Sequence, residues 1–524
     1  MPPARALEIA DNFRGVNRRE DRQSISRREL YDATNFFPAT RGIAETRLGS
    51  ARFNSTAVTG GIGREIARYY PAGGTRRKIV VFNLAAGDAL YYGTDATGVL
   101  TAITGPTALT ANTAWLFAEF QGNFYAGNAT EVIQKSTNGT TRTDIGGSPA
   151  LFIGYPAGPY RSRLLAFGNP TNPKRIAYTD TFTENAPADN YITIEHHEDP
   201  TAVHVFGRDE DQGVFGDLLI FTPTSTWLVR GDFKDIAGGY SLERVEERLG
   251  TLSPLSFVDT PYGLVGLGYD GTTDLIVVMI PHGGGRPVII SDKIRTIESL
   301  PRAYRNLANA VYYKGFYRLS FVPSGQTVPT REWWADLRYL DLRARDLNIE
   351  WWGPMTGRNI GAMAVQLGSG DANELIAADG NGGYIDILDG ADVYTDYGTA
   401  YTAIFQTKDL DGGDPLHFKS FRGFVLGAKP TPTESVTCDL DVDEGGAVQR
   451  TAVPMVVTSP TVGDATLVSD DTLVGGERFD EYVSHLASPL YGHRASIAVT
   501  YRAGRKFAIK RATPLAAPSK RLRA

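Results

Sequence analysis

The chain has one cysteine, Cys438, in 524 residues. No intramolecular disulfide can form, so stability must come from packing, and a reducing cytosol is the expected place of synthesis. No stretch approaches the roughly 18 consecutive apolar residues of a membrane span. The opening MPPARALEIADNF has no apolar core, so a Sec-type signal peptide is not expected. Catalytic motifs are missing too. There is no HExxH and no evident Ser-His-Asp or Cys-His arrangement. The glycine-rich HGGGRP (His282–Pro287) lacks the following Lys-Ser or Lys-Thr of a phosphate-binding loop and reads as a hairpin turn. The chain therefore reads as a non-enzyme with no implied cofactor.

What is present is turn chemistry and aromatic residues. Gly 57, Pro 29, Tyr 25 and Phe 24 favour an all-β fold over a helical one. Apolar runs of four to eight residues alternate with Gly, Pro, Asn and Asp turns from Ala51 to Lys408, and groups of runs recur about every 40–50 residues, the spacing of propeller blades. Seven groups can be counted, in Lys78–Gly93, Ala114–Thr137, Arg163–Asp180, Ala202–Arg248, Gly263–Asp292, Asn309–Gly353 and Ala362–Asp389. Continuous runs such as IVVF and DLLIF suit inner strands packed on both faces. The alternation of Tyr317, Leu319 and Phe321 with Arg318 and Ser320 suits an outer strand. The expected closing strand is TAIFQTK (Thr402–Lys408), paired in the first blade. Past the turn cluster DLDGGDP, FRGFVLG, SVTCDLDVD, QRTAVPMVV and ASIAVTYRAG read as a small β-sandwich. The expected division is an N-terminal arm at 1–50 with a short helix over Ser26–Asn35, a β-propeller at 51–408, a β-sandwich at 409–505 and a basic tail at 506–524.

The charge is unevenly placed. Eight of the 53 basic residues and none of the 59 acidic ones lie between Arg502 and Ala524, leaving −14 on the remainder. A basic tail on an acidic body suggests contact with a neighbouring subunit or nucleic acid.

Several segments could carry chemistry. EHHED (Glu195–Asp199) with His204 nearby could look like a metal site, but strand alternation would point His196 and His197 to opposite faces, so a polar inter-blade loop is expected instead. Asp439, Asp441 and Asp443 share a strand face, but the later Glu of a calcium loop is missing. The pairs Trp333-Trp334 and Trp351-Trp352 could stack sugars, or place one ring in a blade core and one in an interface. The Ser-x-Asp-x-Gly-x-x-Trp box of sialidase-type propellers is absent.

Phe13-Arg14-Gly15-Val16-Asn17, Asp21, Ala33-Thr34-Asn35 and Arg47-Leu48-Gly49 follow in the order of an opening pattern. STWLVRG (Ser225–Gly231), ERLGTLSPLSFV (Glu247–Val258), GLVGLGYDG (Gly263–Gly271) and IISDKI (Ile289–Ile294) come later. In these pieces the chain resembles the tail nozzle, or hub, proteins of short-tailed bacteriophages, also called tail tubular protein B or DNA-stabilisation proteins. Arg14 stands where that family has a second glycine. The resemblance implies a structural virion protein, made in the host cytoplasm and placed in the tail as a ring of about six copies below the head-to-tail adaptor. Such a ring encloses the DNA channel, retains and then passes the genome without sequence specificity, and gives fibres or spikes a place to attach. An acidic wall would keep DNA from sticking. Subunit or partner contacts are then expected at Arg14, Arg18, Arg19, Trp351, Trp352, Arg505, Lys506, Lys510 and Arg511. The alternative is a receptor- or glycan-binding propeller at a tail tip or cell surface.

Overall fold

Seven four-stranded antiparallel sheets form a β-propeller. The computed structural model describes residues 5–518 apart from 7–8, 73, 96, 107, 112–113, 147–151, 207–215, 234–238, 283–285, 342–346, 348, 368–372, 391–392, 413, 415, 430–434, 444–446, 455–479 and 503–504. Blades 1 to 6 each use four successive strands, beginning at Ile62–Tyr69, Leu116–Phe120, Tyr155–Tyr160, Ala202–Phe206, Val258–Thr260 and Asn309–Tyr313. Blade 7 uses Ile360–Leu367, Asn373–Asp379 and Ile385–Leu388, and its fourth strand is Ser50–Arg52. The first strand of each blade lies toward the axis. Strands that face neighbours on both sides are buried almost throughout, as in Arg163–Phe167 and Gly263–Leu267. Separate apolar clusters fill the gaps between successive blades.

The closing strand differs from the sequence expectation. Ser50–Arg52 closes the ring in the last blade, with Arg52 opposite Asp386 and Ser50 opposite Leu388. Thr402–Thr407 pairs instead with Leu30–Asp32 and Ala495–Arg502. The burial pattern explains this: Ala403, Phe405 and Thr407 are buried while their neighbours are not, so the strand has one apolar face and belongs on a sandwich.

Both ends of the chain build that sandwich. One sheet holds Asp480–Gly492, Lys419–Ala428, Ala508–Pro518, Ala44–Thr46 and Phe36–Phe37, with Arg5–Ala6 and Ala10–Asp11 also on Ala508–Pro518. The other holds Leu30–Asp32, Thr402–Thr407, Ala495–Arg502, Ser435–Val442 and Ala447–Pro454. Residues 1–50 are therefore not an arm: their described strands are structural, and Phe13, Leu30 and Phe36 are fully buried. The expected helix over Ser26–Asn35 does not form. Asp32 Oδ1 accepts the Thr34 amide at 2.8 Å and the Thr34 hydroxyl at 2.7 Å, a local turn that competes with helix. Nor is 506–524 a tail in its described part. Ala508, Ile509, Ala512 and Thr513 are buried, and the strand runs between Lys419–Ala428 and Ala44–Thr46. Lys520, Arg521 and Arg523 lie outside the described residues.

Sandwich and propeller share one core. It runs from Phe405, Phe421 and Phe424 through Phe13 to Trp333, Trp334, Trp351 and Trp352 of blade 6. Phe13 meets Phe405 edge-on at 4.9 Å and Phe37 meets Trp334 at 5.4 Å, so the N-terminal segment is the layer between the two units.

Candidate functional site

The expected contact residues separate into buried and surface groups. Trp351 and Trp352 are both 0% exposed, which corrects their assignment as contacts; Trp351 Nε1 donates to the Ile290 carbonyl at 2.8 Å. Pairing explains the burial: Trp352 lies opposite Trp334 and Trp351 opposite Ala335, on a strand covered by the sandwich. Trp333 and Trp334 are equally buried, so none of the four rings rims a sugar site. Arg14 and Arg41 both reach Glu350 Oε1 at 3.1 Å. Arg18 donates to Asp32 and to the Tyr31 carbonyl, each at 2.7 Å. These arginines bind the N-terminal segment to its own fold. Arg19 is exposed, 3.5 Å from Asp292. Lys506 pairs with Glu45 at 2.9 Å, whereas Arg505 and Lys510 are exposed and Arg511 is half-buried.

Two shallow grooves follow the seam between the units. One, of about 480 Å³, is lined by Arg18, Arg19, Asp21, Arg22 and Tyr31 with Thr296. The other, of about 390 Å³, is lined by Arg14, Arg28, Arg41 and Lys293 with Glu29 and Glu350. The sequence reading placed the basic residues of this segment on an arm; the fold sets them along a groove wall.

The opening motifs of the resemblance converge on the same seam. Gly15 has φ +84°, and a Cβ there would lie 2.5 Å from the Trp351 carbonyl oxygen. Only glycine allows the Val16 amide to donate to that oxygen at 2.7 Å. Gly49 is similarly confined, its Cβ position being 2.1 Å from the Thr395 carbonyl oxygen. Asn35 donates to the Thr402 carbonyl at 2.7 Å and accepts from Arg47 Nε at 2.9 Å and the Thr356 amide at 2.8 Å. Arg47 is fully buried and pairs through both terminal nitrogens with Asp396.

The inner strands of the blades line an open pocket of about 350 Å³ at the propeller axis, walled by Glu65, Leu116, Pro156, Val203, His204, Phe257 and Met363 among others. His204 and Glu65 were not recognised as an axial pair from sequence; the available signal was a titratable residue inside an apolar inner strand, as in AVHVF. Burial pushes the His204 pKa down to about 4 despite a hydrogen bond to the Pro254 backbone, and Nε2 has no hydrogen-bond partner among the described residues. Burial also raises Glu65 well above the usual carboxylate range.

The two groups act oppositely on stability. Unfolded histidine titrates near 6.5, so between about pH 6.5 and 4 the unfolded chain holds a proton that folded His204 lacks. His204's contribution is complete above pH 6.5 and is lost as pH falls, amounting to about 3 kcal/mol at most. Glu65 contributes at low pH, and its contribution fades as pH rises through its folded value. Denaturant unfolding at pH 7 and pH 4.5 should show His204→Gln losing less stability on acidification than the native chain. Equal losses would refute this.

The remaining candidates also have definite places. Asp439 is bidentate to Arg450 at 2.9 Å, Asp441 pairs with Arg22 at 3.0 Å, and Asp443 accepts the His493 and Arg494 amides, so all three carboxylates have protein partners. Leu416, Phe418 and Tyr491, missed by the sequence reading, are 85%, 39% and 52% exposed; Phe418 stacks on Tyr491 at 6.5 Å. In EHHED the two histidines are not on opposite faces. The strand ends at Thr193, so alternation no longer applies, and the rings lie 4.0 Å apart.

No protein-family model matches the chain, and no curated protein matches it. Among solved structures, BBS1N in complex with ARL6DN aligns with a TM-score of 0.40 at 11% identity, over 66% of this chain and 99% of that one. The computationally designed Ika8 protein aligns at 0.36 and 10% identity, over 66% and 99%. An exo-β-1,3-galactanase from Phanerochaete chrysosporium, crystallised with galactose, aligns at 0.28 and 9% identity, over 79% and 98%. Likenesses this distant carry no argument about the chain; its β-propeller is read from the seven four-stranded sheets.

Proposed function

We propose that this chain is a structural subunit of a bacteriophage tail, a nozzle or hub that assembles as a ring of about six copies below the head-to-tail adaptor. The observation that carries this reading is the placement of the resemblance motifs. Gly15, Asn35, Arg47 and Gly49 are residues whose identity the propeller–sandwich seam requires. The opening part of the resemblance thus rests on positions that specify this two-unit architecture, not on generic turn residues. In this reading catalysis plays no part. Genomic DNA passes between copies, because the pocket at the propeller's own axis, about 350 Å³, is too small for a duplex. Contacts between copies fall to the exposed Leu416, Phe418 and Tyr491 of the sandwich, since the blade 6 tryptophans are buried.

Mass photometry and negative-stain imaging of the purified chain test the reading. Rings of about six copies with a central hole are expected, and Leu416→Asp should shift the particles toward smaller species. A monomer that also fails to bind purified tail-less phage heads carrying their adaptor would overturn the proposal.

A further inference from the structure

The bend that takes the chain from blade 3 to blade 4 gathers two imidazoles and a carboxylate. We propose that His196, His197 and Glu198 form a binding site for a divalent transition-metal ion, Zn²⁺, Ni²⁺ or Cu²⁺. The site is independent of the ring-forming role.

Ligand atoms of the three residues lie within 4.8 Å of one another. Around a tetrahedral ion with bonds near 2.1 Å, neighbouring ligands stand about 3.4 Å apart, so closing onto an ion takes roughly an ångström of side-chain movement. His197 is exposed and free to supply it. The other two ligands are already held. Glu198 Oε2 accepts from Thr222 Oγ1 at 2.7 Å and from the Thr224 amide and hydroxyl at 2.9 Å each. Those donors fix the carboxylate's plane and leave Oε1 its lone pairs, the outer-shell support that ligating carboxylates need. The His196 ring packs edge-on against Trp227 at 5.8 Å. Its Nδ1 accepts the Glu198 amide at 3.3 Å and lies 4.0 Å from Glu198 Oε2, so an ion bound at Nδ1 would take over the lone pair that this amide now occupies.

Local charge permits a cation. Glu195 and Asp199 flank the cluster in sequence; the positive charges of Lys174 and Arg244 also reach His196, and Arg244 is paired with Glu247. Two imidazoles with one carboxylate favour zinc, nickel or copper over calcium or magnesium. The ion would tie the 195–199 bend to the Thr222–Thr224 turn of blade 4.

Titration of the full chain with each metal salt tests the site. One Zn²⁺ equivalent should bind by calorimetry, and Cu²⁺ should quench a component of tryptophan emission that is missing in Trp227→Phe. His197→Ala, at an exposed position, should weaken binding at least 10-fold with an unchanged melting curve in chelator, and Glu198→Gln should weaken it by roughly 10–100-fold. Paired replacement of His417 and His493 should leave binding unaltered. Absence of saturable binding below about 1 mM metal, or one-to-one binding that survives His197→Ala, would overturn the proposal.

Discussion

Removal of residues 1–30 is expected to unfold the sandwich while the propeller stays folded. The deletion takes out the two strand pairs on Ala508–Pro518 and the buried side chains of Phe13, Val16, Ile25 and Leu30. Burial of four such side chains is worth about 6–12 kcal/mol, comparable to the whole stability of an ordinary domain. It also removes Arg22, which bridges Asp409 at 2.9 Å and Asp441 at 3.0 Å, leaving the buried Asp409 with Arg494 at 3.4 Å. Blade closure survives, because Ser50–Arg52 remains. Limited proteolysis read by mass spectrometry should therefore give a resistant fragment ending near residue 400 and rapid loss of the C-terminal segment. A truncated chain as resistant throughout as the native one would contradict the interlayer role. The same experiment limits what such a deletion can say about assembly: a failure to form rings would follow from losing the sandwich itself.

The blades were legible in sequence because their order is local. Blades 1 to 6 each run through adjacent strands, so KIVVFN and DLLIF announce buried strands at a regular interval, whereas FYRLSF, whose alternation suggested an outer strand, is buried at every position. The sandwich was only half legible. Its C-terminal strands were readable, but Ala44 pairs with Ile509 and Leu30 with Thr407, partners separated by most of the chain, and no local period records such pairings. Ala508–Pro518 was hidden because its inward residues are mostly small, so Lys510 and Arg511 dominated the reading. The blade 6 tryptophans were recognised as special, but their burial depends on a sandwich that the sequence reading placed elsewhere. His196 and His197 were separated by a strand rule that holds only while the strand lasts; the bend after Thr193 reverses the result.

The largest effect of a single substitution is expected at Arg47. Its side chain is 0% exposed and spans the two units. Nε donates to Asn35 Oδ1 at 2.9 Å, Nη1 to Asp396 Oδ1 at 2.9 Å and to the Leu48 carbonyl at 3.0 Å, and Nη2 to the Thr356 carbonyl at 2.6 Å and to Asp396 Oδ2. The guanidinium lies 3.9 Å from the centroid of the Tyr401 ring, whose hydroxyl donates to the Arg47 carbonyl. Arg47→Met keeps most of the volume but leaves Asp396 buried, with Ser50 at 2.9 Å and Arg358 at 3.8 Å as its remaining partners. Leaving one member of a buried ion pair uncompensated costs about 3–5 kcal/mol. Arg47→Lys should recover little of this, because a point charge with three donors cannot serve Asn35, Thr356 and both Asp396 oxygens together. The discriminating measurement is a double-mutant cycle by denaturant unfolding with Asp396→Leu. If the cost comes from the orphaned carboxylate, the double variant should be more stable than Arg47→Met alone, since removing both charges spares the desolvation penalty. Additive losses would place the cost instead in Asn35 and Thr356, whose own hydrogen bonds would then be what fastens propeller to sandwich.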